Sequence, residues 1–192
     1  MTHTQFIGYP LEFEVKYPSG KVDLLRIELN EREVTIYVPA SERPQYVCID
    51  PQFKVGVKSV SSDKGVEEAI AELGSDNIMC RLEAIDALAR DGSARAVEGG
   101  LSKALMNDPF WGGVRAETAR ALGRVGTDDA LKALLNALNN ERHPRVRQAI
   151  AEALGNFKGN GDAARVLTSI LENTSESYYV RSKAAQSLGK LG

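Results

Sequence analysis

Histidine, cysteine and tryptophan are scarce in this sequence: two, two and one among 192 residues. No apolar run approaches the ~20 residues that a membrane-spanning helix needs. The opening stretch, MTHTQFIGYP, has neither the basic start nor the apolar core of a secretory signal. Charge of one sign is not in surplus, with 24 Lys and Arg against 26 Asp and Glu and a net charge of -2. That balance provides no bulk positive field to hold nucleic acid or an anionic membrane. These absences make the cytoplasm the default compartment and a protein the expected partner.

The scarce residues also limit the chemistry. Cys48 falls in a strand-like stretch and Cys80 in a helix-like one. Each reads most simply as a small buried apolar residue. A disulfide between them stays open, and a zinc site would need about two more ligands. His3 and His143 lie 140 residues apart, and neither stands in an H-E pair. No catalytic, metal-ligating or cofactor-binding residue can be assigned on this pattern. Gly159-Asn160-Gly161 is a turn without the preceding strand or following Lys-Ser/Thr of a phosphate loop.

What is present is a soluble globular composition, 43% hydrophobic and 26% charged, with two different periods. Over residues 1–60 the period is two. Leu11, Phe13, Val15 and Tyr17 alternate with Glu12, Glu14 and Lys16, as in a half-buried strand. Pro18-Ser19-Gly20-Lys21 is a turn, and Val22 to Leu29 a second strand. Val34, Ile36 and Val38 continue the alternation, Tyr46 to Ile49 follows, and Phe53, Val55 and Val57 make a last segment. This predicts an antiparallel meander of about five strands over residues 1–60. From residue 63 to 192 the period is 3.6, Ala and Leu dominate, and Gly92, Gly126 and Gly161 punctuate helix-length segments. The fold class is α+β, a small antiparallel sheet followed by an α-α superhelix.

Four stretches of the second part align without gaps: those opening at Arg81, Arg115, Arg147 and Arg181, spaced by 34, 32 and 34 residues. Each carries Ala or Ser and then Leu at the sixth and seventh positions after the arginine, ending in Ala87-Leu88, Ala121-Leu122, Ala153-Leu154 and Ser187-Leu188. Small residues let neighbouring helices approach, and leucines supply buried area. A second helix follows each of the first three, with apolar stripes at Val97, Leu101, Leu105; Leu131, Leu134, Leu135, Leu138; and Val166, Leu167, Ile170, Leu171. Paired helices repeating at about 33 residues predict a HEAT-like solenoid. It holds about three and a half hairpins, the last incomplete, with Ala184, Ala185 and Leu188 partly uncovered at the end and able to support a dimer.

The motif Asp108-Pro109 … Val114-Arg115 … Ala121-Leu122-Gly123, repeated as Val146-Arg147 … Ala153-Leu154-Gly155, resembles HEAT-like repeats of the phycobilin-lyase type. The stretch from Asp108 to Glu117 is similar to a version in the C-terminal region of microbial zinc aminopeptidases of the aminopeptidase N family, with Gly112 and Gly113 where that version has one glycine. The run from Phe13 to Tyr17, that from Val34 to Val38, and that from Pro44 to Pro51 resemble the late strands of the small β-sandwich found there. This resemblance implies a partial β-sandwich and a non-catalytic scaffold that packs against or gates a catalytic domain absent from this chain. A free-standing HEAT adaptor is the alternative, and a bilin-lyase-like protein a third reading.

Two sets of residues are candidate contacts. At a spacing of 33, the second helices present Lys132 and Arg165; Lys103, Asn136 and Ser169; and Met106, Asn139 and Glu172, taken to line the inner, concave surface. Phe110 and Trp111 precede a helix, where they act first as a hydrophobic staple and otherwise as a loop contact. The repeated arginines are expected to form a ladder with the nearby Glu83, Glu117 and Glu152.

Overall fold

The computed structural model describes residues 9–29, 35, 37–55, 63–109 and 112–192. Three strands form one antiparallel sheet in the order β2-β1-β3: β1 Tyr9–Lys16, β2 Val22–Leu29 and β3 Tyr46–Ile49. The period-two pattern accounts for all three. Of the two further strands expected, Val34, Ile36 and Val57 lie outside the described residues, while Tyr37 and Val38 are not in a strand. Phe53 is in a turn, at φ 51°. Its N–H donates to Asp50 O at 2.9 Å. The Asp50 carboxylate accepts from Lys54 N and Val55 N at 2.9 and 3.0 Å. An aspartate that collects backbone donors competes with the ladder, so the chain turns where its alternation suggests a strand.

The helices are α1 Val66–Glu72, α2 Ile78–Asp91, α3 Ala94–Ala96, α4 Ser102–Asn107, α5 Gly113–Val125, α6 Asp128–Asn140, α7 Pro144–Leu154, α8 Gly161–Glu172 and α9 Tyr178–Leu191. A π-helical turn, Val97–Leu101, links α3 to α4. Local chemistry sets their ends. Thr127 caps α6 by accepting from Ala130 N at 3.3 Å, and Asp128 and Asp129 complement the dipole of its first turn. Pro144 opens α7 behind His143, whose Nδ1 accepts from Arg145 N. Gly92 and Gly126 end α2 and α5 in the left-handed conformation. Gly161, expected as a stop, is instead the first residue of α8, because Asn160 caps that helix through Asp162 N and Ala163 N.

One apolar core runs through the helices, from Ala69 through Leu88, Leu122, Leu134, Leu154 and Leu167 to Ala184. The arginine helices stack edge to edge, α2 on α5, α5 on α7 and α7 on α9. A Cβ on Gly123 would lie 2.8 Å from Ala153 Cα, and one on Gly155 2.8 Å from Ser187 Cβ. Only glycine permits that approach. At the last helix Ala184 is buried, Leu188 is half-buried and Ala185 is exposed.

The sheet meets α1 and α2 through β3. The side chains turned that way, Tyr46 and Cys48, share a face with Glu12 and Glu14 of β1. The charged face of β1 is therefore partly covered, and Glu12 is 7% exposed. Phe13, Leu25 and Ile27, on the other face, line an apolar groove with Val38 and Pro44.

Candidate functional site

The residues taken from the second helices come from α4, α6 and α8. Lys103, Met106, Lys132, Asn136, Asn139, Arg165, Ser169 and Glu172 are all exposed. Their leucine neighbours point inward, so a 33-residue register fixes which positions face solvent. Asn136 Nδ2 reaches Met106 Sδ at 3.5 Å, which joins two repeats. Lys132 pairs with Asp129 at 3.1 Å and Arg165 with Asp162 at 2.7 Å, each within its own helix. Arg165, Ser169 and Glu172 line a shallow depression with Thr168 and Asn173. Phe110 and Trp111 lie outside the described residues.

The arginine helices approach to backbone contact at Gly123 and Gly155, whereas α6 and α8 scarcely touch.

The repeated arginines are structural anchors, but their partners differ from those expected. Arg81 Nη1 donates to Asp108 Oδ2 at 2.6 Å, Arg115 Nε to Glu141 Oε2 at 2.9 Å and Arg147 Nε to Glu176 Oε2 at 2.8 Å. Each acid sits in the turn before the next arginine helix, where the guanidinium fork reaches it. The same arginines take carbonyls at the ends of the second helices: Arg147 donates to Leu138 O and Arg181 to Leu171 O, both at 2.9 Å. A cation there complements the helix C-terminus. Burial works to raise the Glu141 carboxyl, but Arg115 and the amides of His143 and Arg142 outweigh it and hold it below the ordinary value. Of the acids expected as partners, Glu117 and Glu152 bind Arg120 instead, Glu152 also meets Lys183 at 3.7 Å, and Glu83 binds Lys64 at 2.9 Å. A signal for the true partners was present: Asp108, Glu141 and Glu176 recur at nearly the repeat length.

The junction of sheet and helices holds a second cluster. Cys48 of β3 and Cys80 of α2 form a disulfide with Cα atoms 5.4 Å apart. The reading of both as buried residues holds, since each is 0% exposed, but they are bonded to one another. Lys64 Nζ contacts Glu72 Oε2 at 2.5 Å and Glu83 Oε1 at 2.9 Å. It also donates to Val47 O at 3.0 Å. Val47 N donates to Glu68 at 3.3 Å and Ile49 N to Glu83 at 3.0 Å. The outer edge of β3 is thus closed by side chains of the helical part, where an unpaired strand edge would invite another chain. Nothing in the spacing of Lys64, Glu72 and Glu83 announces this cluster.

Comparison with known proteins follows the same division. A family model described as HEAT repeats matches residues 66–155 and, in a second overlapping match, 99–189. The chain belongs to the HEAT-repeat family. Among solved structures it is similar to human deoxyhypusine hydroxylase in complex with glycerol, at 23% identity and a TM-score of 0.60, over 68% of this chain and 45% of that one. It is also similar to the complex of CpcE and CpcF of phycocyanin lyase from Nostoc sp. PCC7120, at 23% identity and a TM-score of 0.45, over 70% of this chain and 68% of that one. This HEAT-repeat chain therefore spans less than half of the hydroxylase. At that identity the hydroxylase shares its fold alone. No curated protein matches the sequence. Among the described residues, no helix is long and apolar enough to cross a membrane.

Proposed function

We propose that this HEAT-repeat chain is a non-catalytic protein-interaction scaffold that meets its partner through the exposed band on α4, α6 and α8. The observation that carries the reading is a difference between its two long faces. On the arginine helices, partly exposed charges are tied across repeats, Arg124 to Asp86 at 3.5 Å and Arg120 to Glu152 at 3.1 Å. On the band, the ion pairs of Lys132 and Arg165 stay within one helix, and Lys103 forms none among the described residues. Lys103, Lys132 and Arg165 put one basic residue on each of α4, α6 and α8, so the band favours a partner surface with acidic groups.

The zinc aminopeptidase resemblance gives this reading its most specific form, in which the partner is a catalytic domain of the same polypeptide. It rests on the Asp108 to Glu117 motif and the order of strands and helices. A free-standing adaptor has the same surface and a separate partner, and a second copy meeting the exposed face of α9 is a further arrangement. A bilin-lyase role gains nothing from the structural likeness, whose TM-score is 0.45.

The test is affinity capture with the full chain and two variants. Lys103→Glu with Lys132→Glu and Arg165→Glu reverses the band; Arg120→Glu with Lys183→Glu alters the other face. A protein retained by wild type and by the second variant, and lost at least tenfold from the first, supports the band. Equal retention by all three sinks it. The reading frame separates the forms: an H-E-x-x-H domain encoded upstream in the same polypeptide supports the aminopeptidase form, and a frame confined to this chain supports the adaptor.

A further inference from the structure

The junction cluster has no part in the interaction surface. A Glu72 carboxylate oxygen and the two cysteine sulfurs all lie within 4.8 Å of one another. Glu72 is 0% exposed. Its Oε2 holds Lys64, while its Oε1 has no hydrogen-bond partner among the described residues. As a means of closing a junction this is a poor choice, since apolar residues of the same volume would avoid burying ionisable groups. The ionisable pair stands instead against the one disulfide among the described residues.

We propose that Cys48–Cys80 is a thiol–disulfide exchange site at which Glu72 donates and accepts the proton of the cysteine sulfurs. The co-reactant is a dithiol. Its thiolate attacks one cysteine sulfur, the Cys48–Cys80 bond breaks, and the departing cysteine thiolate takes the Glu72 proton. The second reagent thiolate attacks the reagent sulfur of the mixed disulfide, closes a cyclic disulfide and releases the other cysteine, which is protonated from water. Glu72 recovers its proton from water, and the two reagent thiol protons pass to solvent. Two electrons move from the dithiol to the protein. Oxidation runs in reverse, with the Glu72 carboxylate as the base.

The electrostatics suit that role. Burial, the largest influence, pushes the Glu72 carboxyl up to about 8, against the opposing pull of Lys64. The other groups facing it are Glu83 of α2 and Glu68 of α1, which also push it up, and Tyr46 of β3, whose own hydroxyl is raised by burial. Glu72 thus carries a proton at neutral pH and titrates near a thiol, for which the ordinary value is ~8.5. Transfer is easiest between groups so matched. Both sulfurs are buried, so exchange waits on the lifting of β3. That strand is four residues long, and on its outer edge only side chains hold it. Reduction leaves β3 held to the helices by non-covalent contacts, those bonds and the one from Asn77 Nδ2 to Pro51 O at 2.8 Å among them.

The experiment uses the oxidised full chain and dithiothreitol from pH 6 to 9. Free thiols are alkylated and counted by mass, and each rate is divided by the reagent's thiolate fraction. Hydrogen exchange at the Ile49 amide, run in parallel, reads strand opening and is divided out. The normalised wild-type rate should fall about tenfold from pH 7 to pH 9 as Glu72 loses its proton, and Glu72→Gln should be flat. A flat wild-type profile overturns the proposal, even if Glu72→Gln fails to fold. So does an identical fall in that variant, or two free thiols in air-oxidised protein. Stoichiometric zinc retained by the reduced chain overturns it in favour of a metal site.

Discussion

Between α5 and α7 the contact is made of small side chains and bare backbone, whereas between β3 and the first two helices it is made of a disulfide, two buried carboxylates and a lysine. The first kind of interface recurs from repeat to repeat and spreads stability over many similar contacts. The second occurs once and concentrates its hold in a few groups, each costly to strand alone. Removing a helical contact should therefore weaken a whole stretch of the stack, while disturbing the junction should detach the sheet and leave the stack in place.

The largest effect is expected inside the stack. Leu122 is 0% exposed, and Leu122→Ala should cost about 4 kcal/mol by removing methyl groups and leaving a cavity. Urea unfolding followed by circular dichroism reads the loss. Amide exchange should rise across α2, α5 and α7 while β1 and β2 stay protected; a uniform rise would show that sheet and stack unfold as one. Replacing both cysteines by serine should cost about 3 kcal/mol through the lost cross-link. Exchange should then rise at β3 first, with the helical signal little changed. If the helices loosen equally, the junction is part of the stack's cooperative unit and the contrast fails.

A smaller loss is expected at one anchor. Arg147→Met keeps the aliphatic stem but removes the bonds to Glu176, Leu138 O and Glu141 O. It strands Glu176, whose side chain is 9% exposed. About 2 kcal/mol is expected in thermal or urea unfolding. A double variant with Glu176→Gln should recover part of it, because the unpaired charge is gone. No recovery would mean that the carbonyl bonds carry the anchor.

The stack was legible in the sequence because a period repeats its own evidence. Four arginines, the Ala-Leu pair and the glycine after it marked the helices that touch; Lys103, Lys132 and Arg165, taken from the second helices, are exposed. The arginines' partners were misread because acids one turn away on the same helix were nearer in sequence than Asp108, Glu141 and Glu176 in the turns. At Phe53 alternation failed because Asp50 offered the backbone a turn. The cluster of Lys64, Glu72, Glu83 and the two cysteines was not legible at all. Its members come from a strand, a connection and two helices, and they occur once, so no period points to them.

A pH response is also expected, and its sign separates the two regions. In the stack, Glu141 is held below its ordinary value by Arg115 and backbone amides despite its burial. A carboxyl depressed by folding stabilises above its unfolded pKa and loses that contribution as pH falls through its folded value. Wild-type stability should therefore drop relative to Glu141→Gln below about pH 4.5. At the junction, Glu72 is pushed up to about 8 by burial. A carboxyl raised by folding contributes fully below its unfolded pKa, and the contribution fades as pH rises through 4.5 toward 8. Wild type should therefore lose stability relative to Glu72→Gln across that upper window. Unfolding of the three proteins in urea at pH 4, 6 and 8 compares both slopes. Slopes of the same sign would mean that Lys64 keeps Glu72 ionised, and the junction would then be an ordinary buried ion pair rather than a protonated carboxyl beside a disulfide.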